Sequence, residues 1–85
     1  MKVFVPSQLH SYTGRRVVEA SGDTLDAALR ALDGRYPGLR FRIINEQDAV
    51  REHIRIFVNG VQVFDLGTPL QSSDEIRIVG ALSGG

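Results

Sequence analysis

The run Gly80-Ala81-Leu82-Ser83-Gly84-Gly85 is uncharged, follows a strand-like stretch and ends in two glycines. The chemistry available to such residues is that of the terminal carboxylate. A segment with few or no Cβ atoms can lie extended in a slot too narrow for side chains. That would bring the carboxyl of Gly85 within reach of groups held by another protein. With glycine at about 7% of average usage, a Gly-Gly terminus arises by chance in roughly one chain in 200, so the pair is read as functional rather than as a frayed end. Gly85 is the expected reactive residue, and Ala81, Leu82, Ser83 and Gly84 are the stretch a partner would recognise.

The other chemistry-bearing residues make weaker cases. His10 and His53 could ligate a metal, but two separated histidines without clustered carboxylates or cysteines read as surface residues, and no metal is expected. Asp74 and Glu75 could form an acid/base pair, yet neighbours on a strand point to opposite faces, which favours a turn exit. Ser83 has no histidine at a readable spacing to activate it. Arg40, Arg42, Arg51 and Arg55 could form a basic patch. In a chain with 10 basic and 10 acidic residues, that patch reads as partner docking or a solvated surface.

Composition bounds the rest. At 85 residues, with 42% hydrophobic and 24% charged residues, the chain reads as a single globular domain near the lower size limit for one hydrophobic core. The zero formal charge gives no electrostatic case for nucleic acid or for an anionic membrane. Lys2 is the one lysine among the basic residues. With no cysteine there is no disulfide, thiol nucleophile or persulfide site. No apolar run approaches the roughly 18 residues of a membrane span and no signal peptide is read, so a cytoplasmic protein is expected.

The elements that would carry the terminal run follow in order. Lys2 to Val5 alternates and stops at Pro6, giving a first strand with Met1, Val3 and Val5 inward. Residues 7–14 are polar and turn-prone and read as a loop. Arg15 to Ala20 reads as an antiparallel second strand with Val18 and Ala20 inward. Asp23 or Thr24 caps a helix. Its apolar face is Leu25, Ala28, Leu29, Leu32 and Tyr36, and Pro37 ends it. Between Gly38 and His53 a short helical turn is expected, then an exposed loop at 46–48. Ile54 to Val58 and Val61 to Val63 flank Asn59-Gly60, a strong hairpin signal. Leu70 plugs the core between two turns. Glu75 to Val79 forms the last strand, with Ile76 and Ile78 inward.

One helix covers one face of such a sheet, so the fold class is α+β: a ubiquitin-like β-grasp with a mixed sheet of four to five strands. The last strand is expected beside the first. Residues 1–79 would form the domain and residues 80–85 a flexible Gly-Gly tail. On the sheet face away from the helix, Phe4, Val17, Phe57 and Val79 would project together with Arg55 and Arg77, a mixture suited to partner docking.

The sequence resembles the sulfur-carrier (MoaD/ThiS) family. The resemblance rests on Gly22-Asp23-Thr24-Leu25, Tyr36-Pro37-Gly38-Leu39, Phe57-Val58-Asn59-Gly60, Asp74-Glu75 and the terminal Ser83-Gly84-Gly85, in that order. Gly80 departs from it, since relatives often carry proline there. The resemblance implies that a ubiquitin-activating-type enzyme uses ATP to adenylate the Gly85 carboxylate. A persulfide or sulfide donor then supplies sulfur, giving a C-terminal thiocarboxylate. A sulfur-accepting enzyme, a molybdopterin synthase large subunit or a cysteine-synthase-like protein, consumes it. On this reading the chain binds no cofactor tightly and is a co-substrate, not an enzyme. A ubiquitin-like modifier joined to lysines through Gly85 is the alternative, and a binding module with an incidental Gly-Gly end is the third.

Overall fold

The computed structural model describes residues 1–80; Ala81, Leu82, Ser83, Gly84 and Gly85 lie outside the described residues. Five strands form one mixed sheet in the order β2-β1-β5-β3-β4. Strand β1 is Lys2–Phe4 and pairs antiparallel with β2, Val17–Glu19, with Val3 opposite Val18. The pairing continues past both strand ends, through Val5 N–H to Arg16 O (2.7 Å) and Ala20 N–H to Met1 O (3.0 Å). Pro6 stops β1, having no N–H to give a ladder.

Of residues 7–14, expected as a loop, 7–13 are helical. A 3-10 turn at Ser7–Leu9 runs into α1, His10–Thr13. Leu9 and Thr13, four residues apart, are both buried, so this segment covers one end of the core. Only two turns long, it is too short to show a helical period in the sequence, and tertiary contact rather than propensity holds it.

Helix α2, Leu25–Arg35, buries Leu25, Ala28, Leu29 and Leu32 against the sheet. Fully burying each leucine stabilises by about 1.5–3 kcal/mol. Thr24 is the capping residue: its Oγ1 accepts the Ala27 N–H at 3.1 Å. Two further donors of the first turn are met from outside the helix, by Thr68 O for Leu25 and Leu66 O for Asp26, each at 2.9 Å. Gly22 lies so close to this turn that a Cβ there would stand 2.6 Å from the Ala28 nitrogen. The Gly22-Asp23-Thr24-Leu25 sequence is thus a close approach followed by a cap.

Tyr36 makes the last helical bond, to Leu32 O, before Pro37. The expected short helical turn is α3, Leu39–Ile43, with Leu39 and Ile43 fully buried. Strands β3, Ile54–Val58, and β4, Val61–Val63, form the hairpin at Asn59-Gly60. Asn59 has φ 51° and Gly60 φ 84°, the left-handed pair that a two-residue type I′ turn requires. Leu70 is buried, as the sequence implied.

Strand β5, Glu75–Gly80, lies at the sheet centre, parallel to β1 and antiparallel to β3. It runs one residue beyond its expected end: Gly80, assigned to the tail from sequence, pairs with Ile54. Ile76 and Ile78 point into the core.

Candidate docking face and chain exit

With Ile76 and Ile78 inward, the two-residue period of β5 turns Glu75, Arg77 and Val79 to the opposite face. Cross-strand register then decides their neighbours. Arg77 stands opposite Phe4 on β1 and opposite Phe57 on β3, Phe4 opposite Val17, and Phe57 opposite Gln62. The result is one row across the whole sheet: Val17, Phe4, Arg77, Phe57, Gln62. Nearer the C-terminal end of β5, Val79 stands opposite Arg55. All six residues expected on this face are therefore brought together on it. At the N-terminal end of β5 the face turns polar, with Lys2 opposite both Glu19 and Glu75.

The Arg77 guanidinium lies over the Phe4 ring, 4.2 Å from its centroid. Phe4 and Phe57 are half-buried, whereas Val17 and Val79 each keep 37% of their surface exposed. Arg55 is less free, since its Nη1 donates to Glu52 O at 2.7 Å. A strip of aromatic and aliphatic surface with one cation stacked in its middle can take a partner's apolar side chains and still offer a fork to a carbonyl or carboxylate.

Strand β5 leads past this face to Gly80, and the chain leaves the described structure there. On one side of Gly80 is a groove of about 280 Å³ bordered by Phe4, Arg16, Arg77 and Val79. On the other is an open groove of about 700 Å³ between α1, α3 and the start of β3, lined by Gln8, Tyr12, Arg42, Arg51, His53 and Ile54 among others. The Gln8 side chain lies directly over Gly80, in the space a Cβ would need.

The four arginines read as one patch are in three places. Arg40 bonds Asp26 at 2.7 Å on the helical side, with Asp48 and Arg30 joining the network. The Arg30 hydrogen bond, then that of Arg40, holds the Asp26 carboxyl below its usual value. Arg42 and Arg51 line the exit groove, and Arg55 is on the sheet face. The sequence does not single out Tyr12 or Gln8, because the helical segment that carries them reads as a loop.

Asp74 has a structural task. Its carboxylate accepts the Gln71 N–H (2.8 Å) and an Asn59 side-chain N–H (2.9 Å), and its pKa is lowered chiefly by the first of these. His10 Nε2 sits 3.1 Å from Val5 O, while His53 is in the exit groove. Among the described residues no group of three or more His, Cys, Asp or Glu side chains could hold a metal ion. No helix among them is long and apolar enough to cross a membrane.

The signature of the ThiS family matches residues 3–85. The chain is 33% identical over 89 residues to the sulfur carrier protein CysO of Mycobacterium tuberculosis, covering 98% of this chain and 96% of that one. It is also 33% identical over 69 residues to small archaeal modifier protein 1 of Haloferax volcanii, covering 80% of this chain and 78% of the relative. In fold it is similar to a chain in the crystal structure of the Amycolatopsis orientalis BexX/CysO complex, with a TM-score of 0.91, 27% identity and coverage of 99% and 98%. Matched in sequence and in fold across nearly its whole length, the chain belongs to the ThiS family.

Proposed function

We propose that this protein is a sulfur carrier whose Gly85 carboxylate is adenylated and converted to a thiocarboxylate. The observation that carries the reading is the family match running through Gly85, joined to a central strand that leads to the chain end past an arginine-and-apolar face. A free carboxylate resists attack, since its charge repels nucleophiles and oxide is a poor leaving group. A partner of the ubiquitin-activating type would join AMP from ATP to the carboxylate with release of pyrophosphate. Sulfide then displaces AMP: a C–S bond forms as the C–O bond to AMP breaks. If the donor is a persulfide, the first product is an acyl disulfide, and a thiol must reduce it to release the thiocarboxylate.

On this reading ATP and the catalytic side chains belong to partners, and the chain is a co-substrate that acts in the cytoplasm. Phe4, Val17, Arg55, Phe57, Arg77 and Val79 dock it, and residues 81–84 enter the partner's site. The acceptor is a sulfur-consuming enzyme of the cysteine-synthase-like or molybdopterin-synthase type, and similarity to CysO favours the former. The test is to incubate the protein with an adenylating enzyme, ATP and a sulfur source and weigh the product. The expected gain is the mass of sulfur minus that of oxygen, mapped to Gly85; sulfur on an internal residue, or none, overturns the proposal. A second reading, a modifier joined to lysines through Gly85, draws on the similarity to small archaeal modifier protein 1. Isopeptide-linked adducts on proteins from the native host would support it.

A further inference from the structure

Three other arginines have a terminal nitrogen engaged: that of Arg40 meets Asp26 and Asp48, that of Arg35 meets Glu19 O, and that of Arg55 meets Glu52 O. Arg42 and Arg51 are arranged differently. Arg42 donates its Nε–H to the Tyr12 hydroxyl at 2.7 Å, with the guanidinium 5.8 Å from the centre of the same ring. Arg51 donates its Nε–H to Phe41 O at 2.6 Å and stacks 4.5 Å over the Phe41 ring. In both, the Nε bond and the ring fix the plane of the group. Among the described residues, neither pair of terminal nitrogens has a hydrogen-bond or ion-pair partner.

Both line the groove beside Gly80, where Glu52 is the one acidic residue. A guanidinium held by its Nε and by an aromatic face has already lost most of its rotamer freedom, so a bound carboxylate costs little further ordering. The remaining terminal nitrogens present a planar fork that matches a carboxylate. Gly80 and Ile54, the paired ends of β5 and β3, border the same groove, making it continuous with the sheet face.

We propose that this groove is a second docking site, in which Arg42 and Arg51 receive Asp or Glu side chains from an acidic segment of the protein that engages Gly85. It rests on the reading that a partner takes up the chain end. The site would fix the carrier's orientation at the exit while the sheet face supplies apolar contact. With two cations presented and the chain's net charge zero, it would speed encounter with an acidic partner surface without drawing in nucleic acid.

The test uses the full chain and a synthetic peptide of alternating Glu and Gly, followed by the NMR signals of the arginine Nε–H groups. Saturable shifts at Arg42 and Arg51, but not at Arg30 or Arg40, are expected, and in Arg42→Glu/Arg51→Glu the peptide should no longer shift the backbone amides lining the groove, such as those of His53 and Ile54, while the amide spectrum stays folded. No shift, or equal shifts at all four arginines, overturns the site. So does an equal response to inorganic phosphate at the same concentration. If removal of residues 81–85 moves these signals without peptide, the chain's own end occupies the groove. If they move on concentration alone, a second copy does; either result overturns the proposal. In the adenylation assay the double variant should raise KM by about tenfold with kcat unchanged. Absence of adenylation of the wild-type chain would sink the carrier reading, whereas the peptide titration decides the groove by itself.

Discussion

Phe4 and Arg77 face each other across the parallel pair of β1 and β5, with the guanidinium 4.2 Å above the aromatic ring. Neither strand alone sets this contact. Two residues 73 positions apart meet because β5 returns to the middle of the sheet beside β1. Arg77→Ala should lower stability by less than about 1 kcal/mol, the range of an exposed cation–π pair. Partner binding should fall further, since the same variant also removes the fork from the centre of the face. Urea denaturation and calorimetric titration with the adenylating enzyme measure the two effects, and equal small losses in both would argue against a docking role.

Phe57→Ser tests the apolar half of the face. Phe57 is half-buried and points away from the core, so the fold should remain cooperative. Loss of an aromatic anchor at an interface centre should weaken partner binding by roughly 2 kcal/mol or more. Unchanged affinity for both the adenylating enzyme and the sulfur acceptor would reject the face.

Removing Gly85 retracts the terminal carboxylate by roughly 3.3–3.6 Å, the reach of one extended residue. Because reacting atoms must come within about 3–3.5 Å, adenylation should be lost rather than slowed. No core residue changes, so the melting temperature should stay where it is. Intact mass after incubation reads the first effect and thermal denaturation the second.

Two glycines should respond differently to alanine. Gly60→Ala meets open space and carries only the penalty of a left-handed backbone, about 1–2 kcal/mol. Gly22→Ala brings its Cβ against backbone atoms of α2 and must displace the helix start, so its loss should be the larger. Reversal of that order in denaturant midpoints would contradict the close approach.

The Asp26 network predicts an acid-side loss of stability. The folded-state carboxyl is held below the ordinary aspartate value, first by Arg30 and then by Arg40. A lowered folded pKa contributes stability that is present above the unfolded value and disappears as pH falls through the folded one. The Asp26 side chain keeps 30% exposure and that of Arg30 62%, so screening keeps the effect below about 1 kcal/mol. The stability gap between wild type and Asp26→Asn should be flat above about pH 5 and shrink below the unfolded value.

Local sequence determined the elements whose signals repeat within a few residues. The apolar spacing from Leu25 to Leu32 with Pro37 beyond it gave α2, and Asn59-Gly60 gave the hairpin through its need for positive φ. The alternation of Ile76 and Ile78 assigned Arg77 and Val79 to the outer face. The resemblance carried by the terminal Ser83-Gly84-Gly85 pointed to the family later matched through residue 85. Tertiary structure decided what depends on distant partners. Residues 7–13 are helical because Leu9 and Thr13 find the core, which no local period announces. Arg40 is committed to Asp26 while Arg42 and Arg51 line the exit groove, although all three are within a dozen positions. Arginine looks the same in any sequence, and only the surfaces that α1, α3 and β3 bring together determine whether its fork is already filled.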